Sequence, residues 1–183
     1  MVKPIYQGRV VTLNVDTVRL PNGHTIDLEV IRHPGASAVV PMKEDGTVVL
    51  IRQFRHAANG FIYEIPAGKL HPKEDPLDCA ARELEEEIGT HKAAIIAESR
   101  DWLSYDLPPE LVGKLWGGRY RGQRQKWFVM RFEGEDSDIN IATEHPEFCE
   151  WKWTPMHTLP DIIVPFKRAN YAALVKEFAH LAK

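Results

Sequence analysis

Glu83, Glu86 and Glu87 stand three and four residues apart in the run Arg82-Glu83-Leu84-Glu85-Glu86-Glu87-Ile88-Gly89. On a helix that spacing stacks the three carboxylates on one face. Like charges at i,i+4 cost a helix roughly 0.2–0.5 kcal/mol per pair. A solvated face would intersperse lysines, but only Arg82 opens this acidic series. A divalent cation over the face resolves the repulsion, because hard cations such as Mg²⁺ take carboxylate oxygens and share their remaining positions with substrate phosphates. The chemistry indicated is metal-dependent work on phosphate.

A frame surrounds the triplet. Gly68 is followed by five residues and Glu74, then by seven residues and Arg82, and the segment closes on Gly89-Thr90. Asp75-Pro76 supplies an N-cap and a first-turn proline, and Gly89 suits a left-handed C-cap. Leu77, Ala80, Ala81, Leu84 and Ile88 recur at helical spacing as the expected buried stripe, with the glutamates off it on an exposed acidic face.

This frame resembles the Nudix box, Gly-x5-Glu-x7-Arg-Glu-U-x-Glu-Glu-x-Gly-U, where U is a bulky aliphatic residue. Every fixed position matches over 23 residues, and Thr90 at the last U is the one departure. The resemblance implies hydrolysis of a nucleoside diphosphate derivative at its P–O–P linkage, with Mg²⁺ or Mn²⁺. Glu83, Glu86 and Glu87 become the implied metal ligands and catalytic residues, with Glu86 as ligand or base. Arg82 has a structural role, pairing with Glu86 at i,i+4 to hold its rotamer.

With 183 residues, 44% hydrophobic and 27% charged, the composition is that of a soluble globular chain able to bury a sizeable core. No apolar run approaches the ~20 residues a membrane span needs. A net charge of −3 argues against broad nucleic-acid affinity, though not against local phosphate contacts. Cys79 and Cys149 form no metal or redox spacing, so reduced thiols and a cytoplasmic setting are expected.

Alternating apolar residues over 9–20 and 24–32, around Pro21-Asn22-Gly23, predict a hairpin. Residues 1–35 form this arm, and residues 36–183 the main domain. Ser37–Met42 and Thr47–Phe54 read as a second, fully buried hairpin joined through Asp45-Gly46. Residues 61–67 are expected as a loop, with strands near 93–99, 125–133 and 148–154. Pro108-Pro109 marks a loop, and a closing amphipathic helix follows Pro165. The fold class is α/β (α+β): the Nudix resemblance implies an α/β/α sandwich with a mixed sheet, plus the N-terminal arm.

Two stretches resemble different relatives. Tyr6-Gln7-Gly8-Arg9-Val10, Arg19-Leu20-Pro21-Asn22-Gly23, His33-Pro34-Gly35-Ala36, Arg52-Gln53-Phe54-Arg55 and Glu64-Ile65-Pro66-Ala67-Gly68-Lys69-Leu70 resemble bacterial ADP-ribose pyrophosphatases. That resemblance implies an arm-mediated homodimer, a metal-ligating carbonyl at Ala67, and substrate-pocket positions at Arg52 and Glu64. Ser99-Arg100-Asp101-Trp102-Leu103-Ser104-Tyr105-Asp106-Leu107-Pro108, Gly122-Gln123-Arg124-Gln125-Lys126-Trp127-Phe128, Pro146-Glu147-Phe148, Trp151-Lys152-Trp153 and Val164-Pro165-Phe166-Lys167-Arg168 resemble bacterial RNA pyrophosphohydrolases and diadenosine-tetraphosphate hydrolases. There the resemblance implies that Glu147 completes metal binding or activates water, and that Tyr105 and Phe166 sandwich a base. Lys167 is a candidate phosphate contact. Ordinary packing is the alternative for the two aromatics, a surface acid for Glu147, and a solvated helix charge for Lys167. With one lineage matched up to about residue 95 and another from residue 99, the chain reads as a chimera, a natural recombinant or an engineered fusion.

The expected function is a Mg²⁺-dependent pyrophosphohydrolase. Its substrate is ADP-ribose or a nucleotide sugar on one side, an RNA 5′-triphosphate or dinucleoside polyphosphate on the other. A non-catalytic ligand-binding module and a weakly active engineered scaffold are the rival readings. The intact box speaks against the first.

Overall fold

The structure, a computed structural model, describes residues 2–8, 12–106, 122–144 and 146–182. The Pro108-Pro109 segment and Val11 of the first predicted strand lie outside these. The chain divides into two compact units, one holding the N-terminal strands and the other running on from Gly35.

The first unit is a three-stranded antiparallel sheet ordered β1-β2-β3, with β1 over Val2–Gln7, β2 over Thr12–Arg19 and β3 over Thr25–Arg32. The expected hairpin is present as β2-β3, paired from Thr12↔Arg32 to Arg19↔Thr25. Gly23 in its turn takes φ +86°, which favours glycine. Sequence reading missed β1. Its residues Val2-Lys3-Pro4-Ile5-Tyr6-Gln7 alternate poorly and are exposed along their whole length, so only the pairing with β2 marks them as a strand.

The second unit is built on an eight-stranded mixed sheet. The second predicted hairpin is β4 (Ala36–Met42) and β5 (Thr47–Arg55). β4 is buried at every position, as a strand covered on both faces must be. β4 runs parallel to β10 (Gly122–Phe132), which pairs antiparallel with β8 (Ala93–Glu98) and β9 (Leu103–Asp106). β11 (Phe148–Pro155) lies against β5. Residues 61–67, expected as loop, instead supply most of β6 (Gly60–Glu64) and the start of β7 (Ala67–Lys69). β4 and β5 pair at Met42–Val48; farther along, β5 takes β6 as partner and β4 takes β7. Strands this short are fixed by their neighbours, not by their own alternation.

Helices cover both faces. Helix α1 (Pro76–Ile88) packs Ala80, Leu84 and Ile88 against Val39, Val49, Ile51, Phe128 and Met130. On the other face, α2 (Leu159–Ile162) and α3 (Arg168–Phe178) bury Leu159, Tyr171, Leu174 and Phe178 against Val40, Leu50, Trp127 and Val129. This is the expected α/β/α arrangement. Among the described residues no helix is long and apolar enough to cross a membrane.

The ends of α1 follow the sequence reading: Asp75 caps the N-terminus by accepting from Leu77 N–H, and Gly89 closes it at φ +72°. The stripe needs correction. Ala81 is exposed, whereas Cys79 and Glu83 join the buried side. The acidic triplet is therefore graded in depth rather than uniformly solvated: Glu83 is buried, Glu87 half-buried and Glu86 exposed.

Candidate active site

Arg82 organises the acidic helix. Its Nε and Nη2 donate to the two oxygens of Glu74 at 2.8 and 3.0 Å, a forked pair that ties the loop between β7 and α1 to the helix. Its Nη1 reaches Glu83 at 2.6 Å and Glu86 at 2.9 Å, so the expected i,i+4 pair exists as one spoke of a larger network. Nη2 also donates to the Lys69 carbonyl. The Arg82 hydrogen bonds hold the Glu74 carboxyl down at about 2. Glu74 thus fixes the frame, a role that the spacing alone did not reveal.

Glu87 points the other way, towards β7, where its Oε2 accepts the Ala67 backbone N–H at 2.9 Å. Burial, then the Glu83 charge, pushes its carboxyl up to about 9. Burial also raises Glu83. Gly68 sits directly against Glu83, and a Cβ there would fall 1.9 Å from its Oε1. Two crowded, half-desolvated carboxylates beside a glycine-lined backbone fit a hard divalent cation, which would relieve their repulsion. In the present arrangement Glu83 and Glu86 are turned to Arg82, and among the described residues no three Asp, Glu, His or Cys side chains converge on one point. A cation would compete with Arg82 for these oxygens.

Next to the helix, Glu64 at the end of β6 is only 4% exposed. Its Oε2 accepts from Arg55 Nε at 2.6 Å and its Oε1 from Lys167 Nζ. Burial would raise this carboxyl, but Lys167 and Arg55 outweigh it and hold the value below normal. The charges of Arg55 and Glu64 also act on Glu87, so this pair borders the acidic helix. Glu64 and Lys167, both expected at the site, are thus brought together.

Arg52 is not. It alternates with Gln53 and Arg55 along β5 and faces the opposite side, where Nη1 meets Glu150 Oε2 at 3.1 Å. Arg55, which sequence reading did not single out as a site residue, stands beside Glu64. The signal was available: Glu64 pairs with Ile51, so odd-numbered β5 residues share its face.

Tyr105 and Phe166 do meet, with ring centroids 5.7 Å apart and planes at 45°. A base stacked between two rings needs about 7 Å, twice a ~3.5 Å contact. The expected sandwich is therefore a closed, touching pair. Burial, then Glu64, raises the Tyr105 phenol to about 12, and its hydroxyl is 2.9 Å from Gln123 Oε1. Lys167 Nζ lies 5.3 Å from the Tyr105 ring centroid, which joins the aromatic pair to Glu64. Glu147 is exposed just before β11, and among the described residues it has no hydrogen-bond or ion-pair partner. The register Phe148↔Gln53 nevertheless puts it at the Arg55 end of β5.

Comparison with known proteins gives a consistent picture. Residues 31–174 match the family described as the NUDIX domain. The chain is 50% identical over 156 residues to an RNA pyrophosphohydrolase of Roseobacter denitrificans, covering 84% of this chain and 98% of that one. It is 54% identical over 120 residues to an RNA pyrophosphohydrolase of Rhodospirillum rubrum, covering 66% and 73% respectively. Among solved structures, an ADP compounds hydrolase aligns with TM-score 0.58 at 18% identity, over 97% of this chain and 91% of that one. A C. elegans Ap4A hydrolase aligns with TM-score 0.57 at 18% identity, over 79% and 96%. At such identity the two structures establish the fold alone. The Roseobacter relative, aligned over 84% of this chain, crosses residue 95, so the two resemblances do not by themselves mark a junction.

Proposed function

This chain belongs to the NUDIX domain family and is a hydrolase of pyrophosphate bonds, and on that premise we propose that it acts on the 5′-triphosphate end of RNA with Mg²⁺ as cofactor. The observation that carries the reading is one continuous cluster. Buried Glu83 acts on half-buried Glu87, Glu87 borders Glu64, Glu64 holds Arg55 and Lys167, and Lys167 lies over Tyr105. Similarity to the two RNA pyrophosphohydrolases supports the choice of substrate.

Glu83, Glu87 and the Ala67 carbonyl would hold the cation, with Glu86 as a further ligand. Mn²⁺ would serve at the same oxygen-rich site. When bound, a divalent cation supplies charge neutralisation on the phosphate oxygens. Arg55 and Lys167 exchange Glu64 for substrate phosphate and orient the chain of phosphates. Glu86 and Glu147 are the carboxylates left to take the proton of the attacking water. The water oxygen bonds to one phosphorus, the bridging P–O bond breaks, and two phosphate-terminated products leave. The terminal base rests on Tyr105 and Phe166 once their contact opens.

The arm of residues 1–35 we assign to a homodimer, supported by the exposed Val2, Ile5 and Tyr6 of β1 and Leu28 of β3. The free thiols Cys79 and Cys149 support a reducing, cytoplasmic setting. A substrate panel with Mg²⁺ tests the assignment: 5′-triphosphorylated RNA, diadenosine tetraphosphate and ADP-ribose, with products identified. Conversion of the RNA to its 5′-monophosphate is expected, and turnover of ADP-ribose alone would refute it.

A further inference from the structure

Three neighbouring strands of the second unit carry an aromatic surface that the chemistry above does not use. Phe54 on β5 and Phe61 on β6 are 53% and 54% exposed, and their rings meet edge to face at 5.5 Å. Tyr63 follows on β6. Cations lie against these rings: Arg52 is 4.8 Å from the Phe61 centroid, and Lys152 of β11 is 3.9 Å from that of Tyr63. The Tyr63 hydroxyl donates to Glu150 at 2.6 Å, which fixes its ring.

Phenyl rings this exposed contribute little to the core, and exposed apolar clusters mark contact sites. We infer that Phe54, Phe61, Tyr63, Arg52 and Lys152 form a stacking platform for the nucleotides of single-stranded RNA that follow the 5′ end. Aromatic rings interleaved with cations bind single strands with little sequence preference, since every base offers a π-face and every nucleotide a phosphate. Charge favours this occupant over a second protein. Glu150 neutralises Arg52, but among the described residues Lys152 has no carboxylate within ion-pair distance. Phe54 and Tyr63 precede Arg55 and Glu64 along their strands and so occupy the other face of the sheet; among the described residues β6 pairs with β5 alone, and an RNA strand leaving the site reaches the platform around that edge.

The inference rests on the RNA reading, and binding separates the two. Fluorescence anisotropy with a labelled, 5′-hydroxyl hexauridylate reads the platform without any triphosphate or turnover. Phe54→Ala/Phe61→Ala should weaken binding about tenfold or more while hydrolysis of a nucleoside triphosphate stays within twofold of wild type. Lys152→Glu, which adds no cavity, should weaken binding in the same direction. Wild-type protein that fails to bind the oligonucleotide, or aromatic variants that bind equally well, would overturn the platform. So would conversion of a dimer to a monomer by the double variant in sedimentation, which would make this face a protein interface. Failure to hydrolyse triphosphorylated RNA, with oligonucleotide binding intact, would strike the substrate assignment alone.

Discussion

The Glu87 carboxylate accepts the backbone N–H of Ala67 at 2.9 Å, so the acidic helix is latched to β7 by one of the residues that its spacing marked for chemistry. The latch holds a carboxyl whose value is raised from 4.5 to about 9, by burial first and by Glu83 second. A carboxyl raised in the folded state supports the fold while protonated in it, and that support is lost as pH rises from the unfolded value through the folded one. Metal-free protein should therefore lose thermal stability between about pH 4.5 and 9, and Mg²⁺ should restore it at the upper end. Glu87→Gln mimics the protonated acid and should flatten the slope. Melting curves across this window, with and without metal, check the claim; a variant slope equal to wild type would refute it.

Glu74 has the opposite sign. Its carboxyl is depressed to about 2 by the Arg82 fork, so its contribution is present above 4.5 and fades as pH falls towards 2. Glu74→Gln should cost about 1–2 kcal/mol near pH 7, discounted for partial exposure, and converge with wild type in acid. Arg82→Lys should show a similar loss, because a lysine cannot reproduce the forked geometry. Denaturant titrations at both pH values measure this.

Tyr105 and Phe166 touch through their rings. Replacing both with Ala removes a contact worth ~0.5–1.5 kcal/mol to the fold. It also removes a stacking surface worth ~1–3 kcal/mol per base. Steady-state kinetics should show kcat/KM on RNA falling about tenfold or more, with ADP-ribose hydrolysis, where present, little changed. Equal losses on every substrate would make the pair a packing contact only.

How much of this was legible in the sequence depended on whether local pattern or partner decided each element. Helix α1 carried its own caps and period, and β4 its own apolar run, so both could be read directly. β6, β7 and β9 are short strands whose existence depends on β5, β4 and β10, and β1 gives no alternation to read. The same limit operated at the site. The glutamate triplet was visible as spacing, but Glu83 had to be seen packed against Gly68 to be known as buried. That Arg55, and not Arg52, shares the face of Glu64 follows only from the register of β5 on β6. Glu147 is placed at the Arg55 end of β5 by the register of β11.

The arm presents Val2, Ile5 and Tyr6 to solvent, each more than half exposed. Small antiparallel sheets need a covered face to be stable in water. Deleting residues 1–35 should convert a dimer to a monomer in sedimentation and lower solubility. A chain that is monomeric before and after the deletion would rule out the dimer.

The most direct test of the account is pyrophosphate release from 5′-triphosphorylated RNA as a function of Mg²⁺, for wild type and for Glu83→Gln and Glu87→Gln. Wild-type rates should saturate with Mg²⁺ and vanish in EDTA, and each variant should fall to near background while keeping its fold by circular dichroism. Release that continues in EDTA, or variants within a few-fold of wild type at saturating Mg²⁺, would contradict the assignment of these carboxylates to the metal.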